Sequence, residues 1–435
     1  MQAKKWYYIK DLLHIALPII MGNLGFIMIG VGDVIVAGRH STDTLAAISL
    51  ATAIINCITM FGIGILISIS PILSNYRGAN KKPERYFYPS LKFTALASLL
   101  ISVVILACIP FIDLLGFEEQ LNPLIKEYFF ITAFSVFGAY LHCMSKEFLQ
   151  AFEIVLFPNL LTVFCIFLNV ALNILFVFGY GIIPEMGAAG LAIASLLTRY
   201  FMGIVLFIYC FKKIKIEHYK DKNYYFDLLK VGTPASLAVM IEFIAFNGMT
   251  VILGRIAGIY AAAMNVVCTI TSVSFMIPLA LGNAGAVKVG FTNGAKDYKS
   301  LKEYAFTALQ LSGGFMTCSA IVVGMAPGII AGLFTRDPEL IQVCVPVIYM
   351  LCFMQVFDGL QATLSGIFRG LKQTKIVMIS NLIAYWGIAL PLGCILGLYF
   401  KMYLIGFWTA LIISVIILCL IMAIDLRKKF KLMEG

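Results

Sequence analysis

Three carboxylates, Asp33, Glu242 and Asp358, each interrupt a long apolar run of the chain. A charge at the centre of a membrane-spanning helix costs roughly 2.5–3.5 kcal/mol on insertion scales, so such residues face a bundle interior or a wet cavity. A carboxylate in that setting can take up a proton, bind a sodium ion or pair with a cationic ligand. Asp33 lies in GVGDVIVAGRHS, where it could also be an end-of-helix acid in the headgroup region, paired with Arg39. Asn169 and Asn173, in FLNVALN, are four residues apart and share one helix face. Their carbonyls beside a carboxylate would supply the oxygens an ion needs; as a plain pair they would serve as glue between helices. Glu242, in ASLAVMIEFIAFNGM, has no basic residue within two turns and is followed by Asn247. Asp358, in MQVFDGLQATLSGIFRG, has Gln361 and Ser365 at helical spacings, with Arg369 about three turns away. A sodium ion would find ligands at Glu242 and Asp358, or at Asp33, Asn169 and Asn173.

The elements that must position these groups are membrane helices. Hydrophobic residues make up 61% of the chain and charged residues 12%, with a mean hydropathy of +0.96. Soluble domains average about 45–50% and about 25%, so the expected class is an all-α polytopic membrane protein. About twelve stretches are long enough to cross a bilayer, at roughly 20 apolar residues each. The opening MQAKKWYYIKDLLHIALPIIMG is read as the first of them: its apolar part outruns a signal peptide and no small-residue cleavage site follows.

The net charge of +10 is a matter of topology, not of nucleic acid. Lysines and arginines crowd alternate connections, as in Arg77, Lys81, Lys82 and Arg85, then Lys212, Lys213, Lys215, Lys220 and Lys222. The connections between carry about one each, such as Arg39 or Lys401. This asymmetry predicts a multi-pass plasma-membrane protein with both termini in the cytoplasm. The cysteines stand singly, without metal-ligand spacing. No GxxxxGK[ST] loop is present, so the chain is expected to be no enzyme and to need no cofactor beyond a coupling ion, Na+ or H+. Lys146, Glu147 and Glu153 are expected in a solvated turn between helices four and five. Arg199, inside helix six, either snorkels or serves as a counter-ion.

The sequence divides near its middle, at the charged loop from about Phe211 to Phe226, and the second part echoes the first. Asp11-Leu12-Leu13 with Pro18 returns as Asp227-Leu228-Leu229 with Pro234. Gly78-Ala79 returns as Gly294-Ala295 and Gly190 as Gly406, all at one displacement. The expected organisation is an N-terminal six-helix lobe over 1–212, a loop over 213–225 and a C-terminal six-helix lobe over 226–435. Six helices per repeat give both lobes one orientation, with sites near the midplane. Pro18 and Pro234 each remove a helical hydrogen bond, for a packing kink or for a hinge.

On these residues the chain resembles the multidrug and toxic compound extrusion (MATE) family over nearly its whole length. Asp33 to Gly38-Arg39 is similar to the family's first helix, and Pro234 to Glu242 to its seventh, where a glutamate binds the cation. Asp358-Gly-Leu-Gln361 leading to Phe368-Arg369-Gly370-Leu371-Lys372 resembles the tenth helix and its turn. Asn169 to Asn173 with Gly187 and Gly190 looks like the fifth and sixth, and Lys288-Val-Gly290 stands where Arg-Val-Gly is usual. Gln373 departs from a frequent aspartate, and Ser74-Asn75-Tyr76 from a frequent glutamine. The resemblance implies a V-shaped pair of lobes in a monomer that exports organic, often cationic, compounds against entering sodium or protons. A flippase for lipid-linked intermediates is the alternative, although its cavity should be basic and this interior is acidic.

Overall fold

The computed structural model describes residues 2–217 and 222–433; Lys220 and the rest of 218–221, within the expected loop, lie outside the described residues. Twelve helical spans are long and apolar enough to cross a membrane. They are α1 Lys5–His40, α2 Thr42–Gly78, α3 Pro83–Leu115, α4 Asn122–Ala151, α5 Leu156–Phe178 and α6 Gly187–Lys213. The others are α7 Asn223–Ile256, α8 Gly258–Gly294, α9 Tyr298–Met325, α10 Pro338–Gly370, α11 Thr374–Tyr399 and α12 Tyr403–Leu432. No strand occurs among the described residues. Large apolar side chains such as Leu99, Phe167 and Val322 are mostly exposed, as a lipid-facing surface requires. Helices satisfy their own backbone, which is why an apolar chain in lipid takes this form.

Helix starts follow local chemistry. Ser41 accepts from Thr44 N at 3.0 Å and Asp297 from Ser300 N at 3.1 Å. Asp337 accepts from Glu339 N at 3.0 Å, with Pro338 opening α10. Each side-chain oxygen satisfies a backbone donor that the first turn leaves orphaned.

The repeat recurs in the backbone. Asn80 and Lys296 are left-handed, at φ 55 and 57, and so are Gly187 and Tyr403, at φ 50 and 46. Both pairs keep the sequence displacement, as do Gly190 and Gly406. A Cβ on Gly190 would lie 2.5 Å from Phe176 O, and one on Gly406 2.6 Å from Gly397 N. In each half, then, the sixth helix starts hard against the end of the fifth.

Two compact units appear: Pro18–Arg77 with Lys81–Ser236, and Met1–Leu17 with Gly78–Asn80 and Leu237–Gly435. They depart from a cut at the loop because each leading helix begins in the opposite unit. In the unit holding the second half, Asp11 accepts from Lys288 Nζ at 2.8 Å and from the Tyr304 hydroxyl at 2.5 Å. In the unit holding the first half, Asp227 accepts from the Tyr76 hydroxyl at 2.8 Å and Phe61 O from Ser236 Oγ at 2.6 Å. The repeat-related acids Asp11 and Asp227 thus anchor the two exchanged ends. Each leading helix changes unit at its proline: α1 at Pro18, and α7 two residues beyond Pro234.

Inside each unit glycines let backbones touch. In the first, Gly203 of α6 packs on Gly138 of α4, with a Cβ there only 2.8 Å from Gly138 O. In the second, Gly366 of α10 abuts Gly282 of α8, and a Cβ on Gly370 would be 2.8 Å from Ala286 O. Small residues at such crossings are the usual means of close packing in lipid.

Candidate functional site

The first unit assembles its polar cluster from three helices. Asp33 sits on α1, half-buried, while Asn169 and Asn173 project from α5 and are wholly buried. Asn173 Nδ2 donates to Asp33 Oδ1 at 2.6 Å and to Asn169 Oδ1 at 3.1 Å. Asn173 therefore serves the acid directly, with Asn169 behind it. The Ser195 side chain of α6 lies beside Asp33, and the Arg199 charge one turn on acts on that carboxylate. Arg39, the partner weighed from sequence, is exposed and makes no ion pair with Asp33. Asn169 Nδ2 and Asn173 Oδ1 remain buried without a hydrogen-bond partner, an arrangement that leaves polar capacity for a ligand.

In the second unit Glu242 of α7 and Asp358 of α10 come together, close enough for the Asp358 charge to act on Glu242. Asp358 is 4% exposed. Gln361, one turn along α10, and Tyr385 of α11 aim polar groups at Glu242. Yet the Tyr385 hydroxyl and Gln361 Oε1 complete no well-formed hydrogen bond. Tyr385 lies where α11 widens into π-helical turns over Leu382–Ala389, a distortion frequent at functional positions. Cys419 of α12 donates to Phe357 O at 3.0 Å, beside Asp358. No basic side chain acts on either acid. Two such neighbours repel, and a proton or a cation shared between them relieves the repulsion.

Not every expectation fits. Asn247 donates to Phe243 O at 2.8 Å, within its own helix, and does not join the pair. Lys146 and Glu147 lie inside α4, with Glu147 6% exposed, because that helix runs on to Ala151 and is no solvated turn there. Glu153, just beyond, pairs with Arg77. Ser195 and Tyr385 escape a sequence reading; their only signal is a hydroxyl in an apolar run. A recess of about 710 Å³ lined by Asp113, Phe117, Glu119, Asn122, Pro123 and Lys126 shares no residue with either cluster.

The family model for MatE matches residues 18–175 and 234–395, two segments that open on the two prolines. This chain belongs to the MatE family. The MatE chain is 26% identical over 416 residues to "Probable multidrug resistance protein NorM" of Bacillus subtilis (strain 168), covering 93% of this chain and 92% of that one. It is 29% identical over 407 residues to the protein of the same name from Rhizobium meliloti (strain 1021), covering 88% and 86%. Its fold is shared with the eukaryotic MATE transporter AtDTX14, at TM-score 0.88 and 19% identity over 97% of this chain and 96% of that one. An outward-facing multidrug resistance MATE family transporter of the MOP superfamily gives TM-score 0.89 at 18% identity, covering 98% and 97%. The MatE chain is accordingly a multi-pass membrane protein of a transporter family, and these matches do not favour the flippase reading.

Proposed function

We propose that this protein is a secondary antiporter that exports small organic, often cationic, compounds in exchange for entering sodium or protons. The observation that carries the reading is the Glu242–Asp358 pair: two neighbouring acids in a membrane unit with no basic group acting on them. The two acids hold the exchanged cation, with the Gln361 and Tyr385 side chains as further ligands. Asp33, Asn169 and Asn173 form the related polar cluster of the first unit. Membership of MatE and the likeness to proteins named for multidrug resistance support the substrate class.

An arriving cation neutralises an acid, alters the packing of α7 against α10 and α11, and lowers affinity for a cationic compound. That coupling is reciprocal. Pro18 and Pro234, where the leading helices change unit, act as the hinges of alternating access. The protein works as a monomer in the plasma membrane with both termini in the cytoplasm. One charge moved through 100 mV supplies about 2.3 kcal/mol, enough for about a forty-fold concentration ratio.

The test is ethidium efflux from proteoliposomes under separately imposed sodium and proton gradients. Efflux is expected to follow one gradient and to fail in both Glu242→Gln and Asp358→Asn. Gradient-driven efflux that survives both substitutions would overturn the mechanism.

A further inference from the structure

Arg199 is the one charged group of the first-unit cluster that the coupling scheme does not use. It leaves α6 one turn after Ser195, which lies beside Asp33. Its Nη1 donates to Ser135 Oγ on α4 at 2.7 Å. Ser135 is 1% exposed, so the guanidinium is tied inward. A snorkelling arginine would instead carry its head along the helix to the interface. Arg199 makes no direct ion pair with Asp33, but its charge acts on that carboxylate, and Tyr128 of α4 feels both. The second unit has no counterpart, since what faces Glu242 is an acid, an amide and a phenol.

We propose that Arg199 is the resident counter-ion of Asp33: held by Ser135, it stands in for a bound cation, so the exchangeable ion goes to Glu242 and Asp358 alone. The inference rests on the coupling reading given above. A fixed positive charge that acts on Asp33 opposes a second cation there, so its removal should tighten cation binding, by about tenfold on the scale of one unit charge at an effective dielectric of about 20. Without the guanidinium, Asp33 and the unpartnered Asn173 Oδ1 are oxygens ready for an ion.

The experiment counts cations bound per chain in nanodiscs, with radioactive sodium at pH 8 and by proton uptake in sodium-free buffer. Arg199→Gln is expected to bind one more cation than the parent, or to bind at Asp33 about tenfold more tightly. The gain should vanish in Arg199→Gln/Asp33→Asn and be absent in Arg199→Lys, which keeps the charge. No gain, or a gain that persists without Asp33, overturns the proposal. If Arg199→Gln alone fails to fold, the charge-balanced double variant should elute as a folded protein; failure of both assigns Arg199 to structure and also overturns it. A parent cation that survives Glu242→Gln and Asp358→Asn would instead refute the coupling reading, independently of what Arg199→Gln shows.

Discussion

The two halves of this chain solve the same problem with different chemistry. In the first, a single acid is surrounded by partners: an amide at 2.6 Å, a serine hydroxyl and a nearby guanidinium. In the second, two acids face one another with only an amide and a phenol for company. The repeat copies backbone more faithfully than function, matching left-handed turns at Asn80 and Lys296 but not the polar residues between them. A well-partnered carboxylate has little to gain from an ion, whereas an unpartnered pair has much. This difference ranks the sites.

The ranking is broken most sharply by neutralising one acid at a time. Glu242→Gln or Asp358→Asn is expected to lower gradient-driven ethidium efflux by about thirty- to a hundredfold, the loss of an interaction of about 2–3 kcal/mol with a charged group. Asp33→Asn should cost tenfold or less on the same scale. Equal losses at all three acids would remove the distinction between the halves.

Second in size are the close crossings that hold each cluster in place. Gly366→Ala, against Gly282, should destabilise the folded protein by about 1–3 kcal/mol, because two backbones must part to admit a methyl group. Gly203→Ala, where the new atom would sit 2.8 Å from Gly138 O, should cost less. Melting midpoints of the purified variants, compared in one detergent, decide the order. A reversed order would place the tighter framework in the first half.

A third substitution sharpens the comparison at the level of single hydroxyls. Tyr385→Phe and Ser195→Ala each remove one oxygen from an acid's surroundings, a change of about 0.5–1.5 kcal/mol or roughly two- to tenfold. If the exchanged ion sits in the second half, only Tyr385→Phe should weaken half-saturation by that ion, read as efflux against ion concentration.

Much of this was legible in the sequence, and the reasons are physical. An acid in an apolar run is costly, so Glu242, Asp358 and Asp33 stand out without any structure. Asn169 and Asn173 announce themselves by sharing a helix face. Tyr385 could not be picked out, since it is one of 20 tyrosines and its role depends on where α11 brings it. The exchanged ends of α1 and α7 were equally hidden: Asp11 and Lys288 are far apart in sequence, and neither carries a local mark of the other. Lys146 and Glu147 carry the charge of a helix end, yet α4 runs past them to Ala151.

The smallest effect concerns the surface, where the halves also differ. The first half ties its α6–α7 connection to the start of α3 through Glu217, which pairs with Arg85 at 2.7 Å and with Lys82 at 3.1 Å. The second half carries at its far end a local pair, Lys429 to Asp425 at 3.5 Å. Hydrogen bonds from Arg85 and Lys82 hold the Glu217 carboxyl below its ordinary value of 4.5. A carboxyl lowered in the folded state contributes stability above its unfolded value, and that contribution fades as pH falls through the folded one. Glu217→Gln should therefore melt slightly earlier than the parent at pH 7, and the gap should close below about pH 4. Added salt should shrink the gap at pH 7, since exposed pairs are screened. A gap that persists in acid would mean that Glu217 works by packing rather than by charge, and the long-range tether would then be no electrostatic feature of the first half.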